Sequence, residues 1–162
     1  GAMLLAVGCV SALFGIAFAI GQRDIKRILA YSSIENVGIV AMGVGVALLG
    51  KAYNEPVLVL LGLGGALFHV WNHGLFKSLL FLGSGAIIHA SGTRDIEALG
   101  GLAKKMPFTA FLFTVGAVAI SALPPLNGFA GEWLIYLGMF KTLSVAAGSS
   151  MPLAAISAGT PW

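Results

Sequence analysis

Long apolar runs separated by short polar clusters define this chain. The apolar runs lie approximately at residues 3–21, 28–50, 57–90, 107–123 and 129–147. Each is close to or above the roughly 17 residues that an α-helix needs to cross a bilayer. The polar clusters between them lie at 22–27, 51–56 and 91–106. Strict alternation of polar and apolar residues is absent, so the pattern predicts an all-α, polytopic transmembrane helix bundle.

The third run, 57–90, is longer than one crossing requires. We expect it to tilt, protrude or bend, with Gly83 and Gly85 as bend points. The chain also starts and stops in apolar sequence. We therefore expect residues 1–162 to be a single transmembrane region from a larger multi-span subunit.

A helix break is predicted between the last two runs, at Pro124, Pro125 and Gly128. Proline lacks a backbone N–H and clashes with the preceding helical turn. Residues 107–147 therefore form either two short spans or one discontinuous helix broken inside the membrane. A broken helix at membrane depth lies where its backbone faces protein or a watery cavity.

The composition excludes an ordinary soluble domain. Hydrophobic residues make up 58% of the chain, charged residues 9%, and the mean hydropathy is +0.96. Soluble domains carry about a quarter charged residues. The net charge of +3 is too small to indicate a nucleic-acid partner. It matters through its position, because the arginines and lysines concentrate in loops 22–27 and 91–106, which predicts that both are cytoplasmic and that 51–56 lies opposite.

The strongest chemical feature is a ladder of His69, His73 and Lys77, spaced four residues apart. Each step turns a helix by about 40° and rises about 6 Å, so the three groups share one slanted face. All three can bind or release a proton, which is typical of a proton relay within a membrane span. The alternatives are a metal site, a lysine that reaches the membrane surface, and hydrogen bonding between helices.

Two carboxyl groups also fall inside predicted spans. Glu35 lies about two turns beyond the first basic loop, and Glu132 follows the helix break. Both are candidates for the proton path, with a structural role near a helix end as the alternative. Asp24 and Lys26 form a possible gate or helix-end pair.

No cofactor-binding motif is present. The sequence contains no Walker loop, no Gly-x-Gly-x-x-Gly and no Cys-x-x-Cys, and its single cysteine, Cys9, cannot form an intramolecular disulfide. We therefore expect no catalytic residue and no bound metal or cofactor in this chain. Any redox chemistry that drives proton movement must come from partner subunits.

The chain resembles the antiporter-like membrane subunits, which include the proton-pumping subunits of complex I and the large Mrp-type sodium/proton antiporter subunits. The resemblance covers nearly residues 6 to 140 and rests on four motifs in order, at residues 23–32, 73–82, 95–102 and 124–129. The first contains Asp-Ile-Lys-Arg followed by Ala-Tyr-Ser, and the second contains His-Gly-Leu-Phe-Lys. The segment Ser-Ser-Ile-Glu-Asn at 32–36 looks like the hydrogenase-4 and formate hydrogenlyase branch.

The resemblance implies a function and a setting. His69, His73 and Lys77 match the family's central relay, and Glu132 matches the ionisable site of its broken helix. Family members carry an earlier half with a second broken helix, which this chain lacks. The resemblance thus implies a non-catalytic, ion-translocating subunit in a prokaryotic plasma membrane. Its partners would be lipid, other membrane subunits and a peripheral redox arm, and its cargo protons or, as in the Mrp antiporters, sodium.

Overall fold

The computed structural model describes residues 1–149, and these are almost entirely helical. The helices are α1 (Ala2–Ile20), α2 (Ile25–Ala52), α3 (Pro56–Ser91), α4 (Leu102–Lys105), α5 (Pro107–Ile120) and α6 (Asn127–Ser149), with a 3₁₀ turn at Ile96–Ala98. The described part contains no strand, only an isolated bridge between Asp24 and Asp95. The predicted all-α bundle is therefore confirmed.

Three of these helices, α1, α2 and α3, are long and apolar enough to cross a membrane. Helix α3 is uninterrupted for 36 residues, or about 54 Å at 1.5 Å per residue, so it exceeds the hydrocarbon core of a bilayer. Helix α5 is apolar but has only 14 residues, too few to span alone. The length and composition of these helices make the chain an integral membrane protein.

Glycines bring the first three helices into close contact. A Cβ built on Gly8 of α1 would lie 2.6 Å from the carbonyl oxygen of Gly38 on α2. A Cβ on Gly62 of α3 would lie 2.5 Å from the Gly43 carbonyl oxygen, also on α2. Only glycine allows backbones to approach this closely, as in many membrane helix interfaces. The approach of α3 to α2 is what places the α3 ladder against polar groups of α2.

Helices α5 and α6 together follow α3 in the opposite direction. As residue numbers fall along α3, those of its contacts on α5 and α6 rise. The contacts are Gly83 with Phe113, Leu80 with Gly116, Asn72 with Asn127, and Gly65 with Ile135. The 14-residue α5 and the 23-residue α6 therefore lie end to end beside α3, in place of one continuous helix. Of the two arrangements left open by the sequence, the structure has the discontinuous helix.

The break covers Ser121 to Leu126, between the end of α5 and the start of α6, with a cis peptide bond between Pro124 and Pro125. Gly128, expected to help interrupt the helix, instead belongs to the first turn of α6. Its role is steric, because a Cβ there would overlap the carbonyl oxygen of Ala119. The absent side chain lets the start of α6 fold against the last turn of α5.

The two basic loops lie together at one end of the bundle. Backbone bonds join them, from Ile25 N–H to the Arg94 carbonyl at 3.1 Å and from Ile96 N–H to the Arg23 carbonyl at 2.9 Å. An exposed ion pair between Arg23 and Glu97, 3.2 Å apart, adds to this junction. Loops 22–27 and 91–106 therefore share one end of the bundle.

Candidate functional site

The α3 ladder faces the interior of the bundle. His69 is fully buried, Lys77 is 5% exposed, and His73 between them is half-buried. The spacing of four residues keeps all three near one face of α3, which packs on α2. The sequence-predicted ladder is thus embedded in protein rather than directed at lipid.

Lys77 points into the α2–α3 interface. Its Nζ donates to the carbonyl oxygen of Leu29 at 2.7 Å and also donates to the hydroxyl oxygen of Ser32. Both acceptors are on α2, so this lysine does not extend to a membrane surface. Among the described residues, no carboxylate forms an ion pair with Lys77, but Glu35 lies within range of an electrostatic interaction with it.

His69 is anchored one step further along the same interface. Its Nε2 lies 3.0 Å from Oδ1 of Asn36, and the Asn36 amide nitrogen donates to the Ser32 carbonyl oxygen at 2.7 Å. Ser32 thus contacts Lys77 through its hydroxyl and Asn36 through its carbonyl. Asn36 is itself 3% exposed, so this polar chain is buried between α2 and α3.

The helix break is held against α3 by a pair of asparagines. The Asn72 amide nitrogen donates to the backbone carbonyl of Asn127 at 2.9 Å, and the Asn127 amide donates to Asn72 Oδ1 at 3.3 Å. Asn127 is the first residue of α6, where the backbone leaves the break. Asn72 lies between His69 and His73 in sequence, so the break meets α3 within the ladder segment.

The two candidate carboxyl groups lie on different helices but in one electrostatic neighbourhood. Glu132, half-buried on α6, accepts a hydrogen bond from the Tyr136 hydroxyl at 3.3 Å. Glu35 on α2 interacts electrostatically with Glu132 and Tyr136 as well as with Lys77. Glu35 therefore lies within electrostatic range of both the lysine and the residues that follow the helix break.

A cavity of about 600 Å³ reaches this region from the end of the bundle that carries the basic loops. Gln22 and Ile96 line it at the loop end, and Ser121 of the break lines it on the α5 side. Ser32 and Glu35 also line the cavity. Because Ser32 bonds Lys77, the cavity borders the polar chain.

The remaining predicted site residues have separate positions. Asp24 caps α2, because its Oδ1 accepts from the backbone N–H of Lys26 at 2.8 Å and of Arg27 at 3.2 Å. This gives Asp24 a structural role at the helix end. His73 has its ring edge against Phe76, with ring centroids 5.6 Å apart. Within residues 1–149, no group of three or more histidine, cysteine, aspartate or glutamate side chains is placed to hold a metal ion.

Sequence reasoning did not select three residues of the site, Ser32, Asn36 and Asn72. Each lies in a predicted span, and buried polar groups in spans are expensive to keep without partners. Applying that rule to amides and hydroxyls, as well as to ionisable groups, would have found Asn36 and Asn72.

The family model for the transmembrane part of NADH:quinone oxidoreductase and Mrp antiporter subunits matches residues 2–148. Hydrogenase-4 component B of Escherichia coli is 51% identical over 147 residues, covering 91% of this chain and 22% of that protein. Formate hydrogenlyase subunit 3 of the same organism is 50% identical over 141 residues, covering 87% and 23%. This chain thus spans less than a quarter of the length of either relative.

A chain in the structure of the membrane-bound sulfane sulfur reductase, an archaeal respiratory membrane complex, shares the fold. It superimposes with a TM-score of 0.71 at 27% identity, over 89% of this chain and 30% of that one. The family match covers nearly all the described residues, including the ladder and the helix break. The chain therefore belongs to the NADH:quinone oxidoreductase/Mrp antiporter transmembrane family.

Proposed function

We propose that this chain conducts protons through a membrane subunit of a hydrogenase-like or complex I-like respiratory complex. The path runs through His69, His73, Lys77, Glu35 and Glu132. The chain itself is non-catalytic and binds no cofactor, so an oxidation–reduction reaction in partner subunits supplies the driving force. Those partners are other membrane subunits and a peripheral arm that carries redox cofactors.

The observation that carries this proposal is the environment of Lys77. A lysine amine inside a bilayer is expensive to bury, and it persists where it has a function and hydrogen-bond acceptors. Here two acceptors on α2 hold the amine, and the Glu35 carboxyl lies within electrostatic range of it. An amine held in this way can exchange a proton without moving far.

The cavity beside Ser32 provides the access route from one side of the membrane. Gln22, Ser32, Glu35 and Ser121 give it polar groups that can bind water, and water joins titratable groups that do not touch directly. Beyond the polar chain, Glu132 of α6 supplies the exit. Proton transfer along this route requires neither a metal ion nor a nucleotide.

A second candidate is sodium/proton exchange without redox coupling, favoured by the inclusion of Mrp antiporters in the matching family. The same oxygens that hold the Lys77 amine could hold a cation when the lysine is neutral. A purely structural anchor is disfavoured by the ladder, because an anchor has no use for two buried titratable groups and a half-buried third on one helix face.

The decisive experiment is Lys77→Ala in the full-length protein within its complex, reconstituted in vesicles. We expect coupled proton movement to be lost while the complex still assembles, because alanine cannot carry a proton between α2 and α3. Lys141→Ala is the matched control, since Lys141 lies near the bundle surface in a loose ion pair with Glu55 at 3.9 Å. Normal proton movement in the Lys77→Ala vesicles would refute the proposal.

Sodium dependence separates the two candidates. Proton movement in sodium-free buffer, driven by the redox reaction, supports the respiratory function. Proton movement that requires a sodium gradient and proceeds without a redox substrate supports the antiporter.

The orientation in a prokaryotic plasma membrane is also proposed, with loops 22–27 and 91–106 cytoplasmic. Single cysteines at Thr93 and Tyr53, in a background without Cys9, test it by labelling with a membrane-impermeant reagent. We expect labelling in intact cells only at Tyr53, because the positive loops stay inside. Labelling of Thr93→Cys in intact cells would reverse the orientation.

A further inference from the structure

The hydrogen bonds around Asn36 determine which nitrogen of His69 carries the proton. The Asn36 amide has one donor group, its NH₂, and one acceptor, Oδ1. The Ser32 backbone carbonyl can only accept, and it lies 2.7 Å from the Asn36 nitrogen, so the NH₂ must face Ser32. Oδ1 therefore faces His69, 3.0 Å from its Nε2.

Because Oδ1 can only accept, Nε2 of His69 must donate. The neutral ring is then protonated at Nε2 and bare at Nδ1, and the charged ring is protonated at both nitrogens. In both states Nε2 keeps its hydrogen. Any proton that His69 gains or loses is exchanged at Nδ1.

Nδ1 lies on the side of the broken helix. It is buried and has no hydrogen-bond partner among the described residues. A Cβ built on Gly131 of α6 would lie only 3.0 Å from it, so only a glycine at this position leaves the nitrogen uncovered. Gly131 precedes Glu132 and lies one turn after Asn127, the residue that leaves the break.

We propose that Asn36 is a positioning residue that holds His69 as the Nε2-protonated tautomer, so that His69 exchanges protons only at Nδ1, towards Gly131 and the broken helix. Direct transfer from His69 to Lys77 through Asn36 and Ser32 is thereby blocked, because an amide keeps its hydrogens on nitrogen. His69 and Lys77 serve different stretches of the path, although they share one face of α3. This inference rests on the proposed proton path for its role in transport, but the tautomer itself does not.

The test uses the full-length protein in its complex, with histidine labelled by ¹⁵N and the His69 signals assigned by their loss in His69→Gln. In alkaline buffer, where imidazole is neutral, the ¹⁵N spectrum distinguishes a protonated nitrogen from a bare one. We expect Nε2 protonated and Nδ1 bare in the wild type. Asn36→Asp should keep this pattern, because a carboxyl oxygen still accepts from Nε2–H, whereas Asn36→Leu should give a mixture of tautomers.

Transport provides the second measurement. Loss of a residue that fixes a histidine tautomer can slow proton transfer by up to about 10⁴-fold, so we expect Asn36→Leu to lower proton movement at least about tenfold in assembled complexes. Ser78→Ala is the matched control, because the exposed Ser78 lies on the same helix as His69 and its hydroxyl bonds only the Gly74 carbonyl of that helix, at 2.7 Å. If the leucine variant does not assemble, Asn36→Ala takes its place.

The outcomes separate cleanly. A wild-type His69 protonated at Nδ1, or an Asn36→Leu protein with an unchanged spectrum, would overturn the tautomer assignment. A changed spectrum with undiminished proton movement would overturn the positioning role. Normal proton movement by Lys77→Ala would refute the proposed function. That result would not change the ¹⁵N spectrum of His69, so the two proposals can fail separately.

Discussion

Helix α3 and the α5–α6 pair cover the same length of the bundle in two different ways. Helix α3 is unbroken for 36 residues and carries its titratable groups as side chains, while α5 and α6 are interrupted between Ile120 and Asn127. In α3 the backbone groups are satisfied within the helix, so α3 makes its polar contacts with other helices through side chains. In the broken helix, the backbone itself takes part in polar contacts.

Asn72 shows how the two designs meet. Its side chain bonds both the backbone and the side chain of Asn127, the first residue after the break. The unbroken helix thus supplies the partner that a broken helix needs inside a membrane. The comparison teaches that the break is built into the packing against α3, and does not merely follow from two prolines.

Three substitutions test this comparison, in order of their expected effect on the stability of the assembled protein. The largest effect is expected for Gly128→Ala in the broken helix, where a Cβ would overlap the Ala119 carbonyl oxygen. Overpacking of this kind typically costs about 3 kcal/mol at its upper range. Thermal unfolding of the full-length protein in detergent measures it.

Gly74→Ala on α3 is the matched control, because a Cβ at Gly74 meets nothing within 4 Å. Alanine favours a helix over glycine by about 1 kcal/mol, so this change should be neutral or mildly stabilising. Equal destabilisation by both alanines would mean that α5 and α6 do not pack as closely as the structure has them.

The positions of the helices follow from the sequence because they depend on local physics. Apolar runs fix where a chain can cross a membrane, and the helices begin and end within a few residues of the predicted runs. The approximate position of the break was predictable from Pro124 and Pro125, whose rings cannot continue a helix. The discontinuous arrangement required the structure, because only the order of contacts along α3 distinguishes one broken crossing from two short ones.

The site was predictable only in part, for a related reason. The spacing of His69, His73 and Lys77 is local, so their common face could be predicted from helix geometry. Their partners could not, because Asn36 is 33 residues from His69 and Leu29 is 48 residues from Lys77. The close α2–α3 packing creates these pairs.

The hydrogen bonds between Asn72 and Asn127, which hold the break against α3, are tested by Asn72→Leu. Leucine has a similar size but removes both hydrogen bonds to Asn127, each worth about 1 kcal/mol net. We expect the free energy of unfolding of the assembled protein to fall by about 1–2 kcal/mol, less than for Gly128→Ala. Ser78→Ala is the control, since the exposed Ser78 hydroxyl bonds only the Gly74 carbonyl of its own helix. If Asn72→Leu is as stable as Ser78→Ala, the hydrogen bonds of Asn72 do not stabilise the helix break.

Glu132→Gln is expected to have the smallest effect on stability and yet to stop transport. Glutamine has the shape of glutamate and can still accept the Tyr136 hydroxyl hydrogen bond, so packing at the start of α6 should be retained. It cannot release a proton, which isolates the titratable group from its structural contribution. We expect proton movement in reconstituted vesicles to be lost while assembly and unfolding temperature change little.

Glu97→Gln is the control, because it removes a carboxylate from an exposed ion pair with Arg23, worth less than about 1 kcal/mol. Full transport by Glu132→Gln would make this carboxyl a structural partner of Tyr136, and the path would then have to leave the bundle without it.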